Sequence, residues 1–148
     1  MSPLGFFKRK KKEEKVEEKA KPEEKTLLKQ LCGEDSELYE TLSRTILLNP
    51  AQALKEGVDS YLQKAKEFEE KGDPLRARIM YQVAGEVALY EGKTDQVQKF
   101  FKKCAETETN PEMQKVYQFY TNKKNLDKAV TVARKYYAQR SSPSEEKE

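Results

Sequence analysis

The segment from Asp73 to Gly92 constrains this chain most, because it has the character of a buried helix. Leu75, Ala77, Ile79, Met80, Tyr81, Val83, Ala84, Val87, Ala88, Leu89 and Tyr90 leave one continuous polar stripe, Arg78, Gln82 and Glu86 at helical spacing. A helix that is apolar nearly all round must be covered on several sides, so the other helices are expected to wrap around it as a spine. Its ends carry their own signals. Asp73 can cap it, Pro74 suits its first position, and Gly92 can take the left-handed turn that closes it.

The flanking segments read as further helices. Leu27, Leu28 and Leu31 predict a short helical turn that docks on the body and ends by Gly33. Asp35 or Ser36 then caps a helix to about Leu48, with Leu38, Leu42 and Ile46 on one face, and Asn49 with Pro50 opens the next, which runs to Lys71. Leu54, Val58, Tyr61, Leu62, Ala65 and Phe68 give that helix a near-heptad stripe. Gly57 within it, and Gly85 in the central helix, predict close approach of a neighbour. Gly72, Asp73 and Pro74 make a link short enough to require an antiparallel neighbour.

After Gly92, Thr94 is expected to cap a helix whose Val97, Phe100, Phe101, Cys104 and Ala105 follow an unbroken amphipathic pattern. Asn110 and Pro111 open a helix with Met113, Val116, Tyr117 and Tyr120 on one side. Asn125 is expected to start the last, with Leu126, Ala129, Val130, Ala133 and Tyr136 or Tyr137 facing inward. No strand pattern competes. The fold class is therefore all-α, with six main helices between Asp35 and Gln139, arranged as antiparallel hairpins in an array or as a compact bundle.

Hydrophobic content of 36% and charged content of 37% depart from globular averages in a way that the ends of the chain explain. Residues 1–25 form a Lys/Glu leader and residues 140–148 are Ser, Pro and charge, both expected to be disordered, leaving residues 26–139 as one all-helical domain. The leader's nine basic and six acidic residues account for the whole net charge of +3. Within it Lys8, Arg9, Lys10, Lys11 and Lys12 form a block that attracts polyanions, and Leu4, Phe6 and Phe7 before it can insert at a membrane interface. The block is a candidate contact for an anionic membrane surface or RNA.

Residues 58–91 carry a second pattern. Ala65, Phe68, Gly72, Ala77, Tyr81 and Ala84 fall at the small, aromatic, turn, small, aromatic and small positions of a 34-residue frame that starts at Val58. This hairpin resembles a tetratricopeptide repeat. Residues 110–139 resemble it more weakly, with Tyr120, Ala129 and Ala133 fitting the frame and Tyr117 standing where a small residue is expected. Tyr61 stands where the family often has tryptophan and Leu89 where a closing proline is common. The resemblance implies a right-handed helical array and a groove between paired helices that binds a protein or peptide. The family's carboxylate clamp is not carried over, because Asp59, Leu62, Lys66 and Glu69 lack its pattern. Tyr120, Tyr136 and Tyr137 are the candidate groove-lining residues, since tyrosine joins an apolar body to a polar tip.

Catalysis finds little support in the residues. The chain has no histidine, no Gly-rich phosphate loop, and no nucleophile-elbow or zincin motif. Cys32 and Cys104 are far apart and read as small buried hydrophobes of a reducing cytosol. Glu86, beside Arg78 and Gln82, is the one polar group on the spine to watch. The expectation is a non-enzymatic cytoplasmic adaptor or scaffold, peripheral to the membrane if the leader engages lipid, that uses neither cofactor nor small-molecule substrate. The alternative is a nucleic-acid- or ribosome-associated accessory protein that attaches through the leader.

Overall fold

The computed structural model describes residues 22–47 and 50–147, with side chains for 26–47 and 50–139, and caps and turns divide these described residues into seven helices. They are α1 (Pro22–Cys32), α2 (Ser36–Ser43), α3 (Pro50–Glu70), α4 (Pro74–Glu91), α5 (Thr94–Thr107), α6 (Pro111–Phe119) and α7 (Lys123–Lys147). No strand occurs among the described residues, so the class is all-α as expected. The leader cations Lys8, Arg9, Lys10, Lys11 and Lys12 lie outside the described residues, as does the expected cap Asn49.

Local chemistry explains most boundaries. The Asp35 carboxylate accepts the Leu38 N–H at 3.1 Å, Asp73 that of Arg76 at 3.1 Å, and Asn110 those of Glu112 and Met113. Each satisfies donors that the first helical turn cannot. Gly92 closes α4 at φ 80°. Two expected caps are corrected. Lys93 precedes α5 without a side-chain bond, Thr94 being already helical, and Asn122 rather than Asn125 caps α7, accepting the Lys124 N–H at 2.9 Å. Asn125 instead donates to the Phe119 carbonyl, which ties the α6–α7 turn shut.

Three boundaries move. The first helix opens at Pro22, ahead of the expected domain start at residue 26, as a first-position proline can. The helix of α2 stops at Ser43 instead of Leu48, because Arg44 and Thr45 bond to carbonyls three residues back and the Leu47 N–H is taken by the Tyr137 hydroxyl. At the far end α7 runs past the expected boundary at Gln139 to Lys147.

Gly57 is explained differently from expectation. Its φ of 85° and ψ of 162° break α3, and nothing lies within 4 Å of where a Cβ would stand. The glycine is needed for its backbone angle and not for a close neighbour. At Gly85 the close approach is real, but it is made by the Phe101 ring, whose nearest atom would lie 2.9 Å from an added Cβ.

The spine pairs most extensively with α3 on one side and α5 on the other, while α7 packs on α1, α2, α4 and α5. An array in which each unit meets only the next would keep first and last helices apart. Here α7 brings them together. Lys128 of α7 reaches the Asp35 carboxylate at 2.7 Å, holding that carboxyl below the usual range through its hydrogen bond. Phe100, Phe101 and Cys104 of α5 join Val87, Ala88 and Leu89 of α4 in the core.

Candidate functional site

At 100° per residue, Leu75, Ile79, Gln82 and Glu86 share one narrow arc of α4. Along that arc exposure falls steeply, from 55% at Leu75 and 47% at Ile79 to 6% at Glu86. The spine is therefore enclosed over its second half only. Its first two turns present large apolar side chains to solvent, against the expectation of cover all round. The arc runs into a groove of about 640 Å³, walled by Arg44 and Ile46 after α2, Tyr61 on α3, and Ile79, Val83 and Glu86 on α4.

Each member of the polar stripe has a separate task. Arg78 pairs with Glu108 at 3.3 Å and donates to the Thr107 carbonyl at 2.9 Å, which satisfies an acceptor at the end of α5 that the helix itself leaves open. Gln82 accepts from the Tyr117 hydroxyl at 2.7 Å and donates through Nε2 to Glu86 Oε2 at 2.9 Å. Glu86 ends the relay. Burial pushes its carboxyl up to about 8, the Gln82 hydrogen bond offsetting only part of that, so near neutral pH it is held largely as the acid.

The other titratable groups near it are quiet. Burial pushes the Cys104 thiol up to about 12 and Cys32 to about 11, which leaves neither as a thiolate nucleophile. Burial likewise raises Tyr117, Tyr120 and Tyr137. No group of three His, Cys, Asp or Glu positioned to hold a metal occurs among the described residues. What the groove offers chemically is a mixed wall, Ile46, Ile79 and Val83 beside Gln52, Tyr61 and Gln82, together with the Glu86 carboxyl and with Arg44, which pairs with Glu112 at 3.6 Å.

The three tyrosines expected to line a groove do not. Tyr120, Tyr136 and Tyr137 are fully buried. Tyr120 stacks on Phe101 with ring centroids 4.4 Å apart and shares a 2.7 Å hydrogen bond with Thr45, while Tyr137 bonds the Leu47 backbone. Helical spacing placed them on the inner side; the partners that let the hydroxyls of Tyr120 and Tyr137 stay buried come from a segment some seventy to ninety residues away, which spacing alone cannot show. Leu75 and Ile79 were missed as site residues because they counted as core. Their shared arc with Gln82 and Glu86 was the available signal.

No protein family, curated protein or solved structure matches the chain. No helix among the described residues is long and apolar enough to cross a membrane.

Proposed function

We propose that this chain is a non-enzymatic protein-interaction module, in which the groove along α4 receives a peptide segment of a partner and the basic leader attaches the module to an anionic surface. The observation that carries this reading is the exposure of Leu75 and Ile79 on a helix whose second half is core, beside an open groove. An apolar strip of this kind rimmed by polar residues is a common mark of an interaction surface. The resemblance of residues 58–91 to a tetratricopeptide hairpin supports the same reading.

Changing both Leu75→Glu and Ile79→Glu tests it. Because both side chains are exposed, stability should change by no more than about 1 kcal/mol in total. Affinity capture from the native source should lose the proteins that the unaltered chain retains, and equal capture by both would sink the reading.

The five-cation run favours a second reading, an accessory protein held on RNA. Removal of residues 1–21, which stops short of α1, should leave the melting temperature unchanged and remove salt-sensitive attachment. If the five cations bind single-stranded RNA, the affinity of the full chain falls with salt at a logarithmic slope of up to about −3.5. Attachment to anionic liposomes without attachment to RNA would decide for the membrane.

A further inference from the structure

Glu86 is nine-tenths buried, yet it lines an open groove. Its Oε2 takes the Gln82 hydrogen bond, and Gln82 is itself fixed by Tyr117, so the carboxyl is held in one orientation. Oε1 accepts no hydrogen bond among the described residues. The cation in the same groove, Arg44, is engaged by Glu112. Oε1 is not shut off from solvent but opens on the groove, whose wall sets Ile46, Ile79 and Val83 beside Arg44, Gln52 and Tyr61, so a donor carried by an occupant can reach it.

We infer that the groove selects partner segments carrying a lysine or arginine at a set distance from a large apolar side chain, with the cation seated on Glu86 and the apolar group on Ile79. This rests on the reading of the groove as a peptide-docking site. Seven residues of helix separate the two anchors, about 10 Å along the axis. An extended peptide covers that distance in about three residues and a helical one in about seven. The complementary partner is therefore apolar then basic, or the reverse, at a spacing of three or seven.

Pairing with a cation requires Glu86 to give up its proton, so binding should tighten as pH rises. The groups that face it from neighbouring elements are Arg44, Tyr61, Cys104, Tyr117, Tyr120 and Tyr137. Burial raises the tyrosines and the thiol, so none of those changes state between about pH 6.5 and 8.5. Glu86 is the group among them that does.

The full chain serves as bait for a phage-displayed library of random dodecamers at about pH 8.5. Enriched peptides should share an aromatic or aliphatic residue and a lysine or arginine at the stated spacing. An E86Q bait should lose the basic preference and keep the apolar one, and an I79E bait the reverse. A synthetic copy of the leading peptide should bind about tenfold more weakly at about pH 6.5 than at 8.5, and its glutamine-for-lysine version equally at both. Enrichment of acidic residues overturns the inference, and apolar-only enrichment ends the role of Glu86 while leaving the docking groove standing. Enrichment that appears only after removal of residues 1–21 assigns the groove to the chain's own leader and overturns an external occupant. No enrichment with either bait removes the docking groove as well.

Discussion

Replacing Glu86 by glutamine raises the melting temperature at about pH 8 by about 10 °C and has little effect near pH 4.5. In the unfolded chain this carboxyl ionises near 4.5, whereas in the fold it keeps its proton up to about 8. Between those values the folded state binds more protons than the unfolded one. The stability contributed by the neutral acid is thus fully present below the unfolded value and is lost as pH rises through the folded one. The loss amounts to a few kcal/mol. Glutamine keeps the shape and still accepts from Gln82, but carries no proton to lose. Asp35, lowered by Lys128, acts in the opposite direction and only at more acid pH, outside this window. Thermal melts of both proteins across that range check the prediction; a difference independent of pH would mean that Glu86 does not titrate there.

The second large effect is at the ring stack. Phe101 is fully buried, 4.4 Å from the Tyr120 centroid and 6.0 Å from that of Tyr117, and its edge presses on Gly85. Phe101→Ala removes a ring that three elements share and should destabilise the fold by about 4 kcal/mol. Gly85→Ala drives a methyl into the same ring and should cost about 1–3 kcal/mol, since Phe101 is held between Gly85 and the stacked tyrosines and has little room to yield. In the double variant the new methyl occupies part of the space that the ring vacated. The combined loss should therefore fall short of the sum by at least about 0.5 kcal/mol, measured by denaturant unfolding. Strict additivity would show that the contact is not the reason for the glycine.

The elements of this fold were legible where a single turn decides them. Asp35, Asp73, Asn110 and Gly92 end or begin helices by bonds to residues at most four positions away, so a short window contains the whole cause. Gly57 shows the limit of that window, since a break at positive φ leaves the same pattern of side chains as a glycine kept for packing. The site was half legible. Glu86 stood out as a lone carboxyl on an apolar helix, but whether its arc was covered at Leu75 or at Glu86 depends on where the segment after α2 crosses the spine. That is a tertiary fact. The buried hydroxyls of Tyr120 and Tyr137 were hidden for the same reason, their partners lying on that same crossing segment.

The contact of α7 with α1 and α2 also sets the order of events during synthesis. The hairpin of α3 and α4 can form as soon as it leaves the ribosome, but the groove wall after α2 is pinned through Tyr137 and Tyr120, which are translated later. The groove along α4 is accordingly finished last, and a nascent chain without α7 has the spine but not the completed groove.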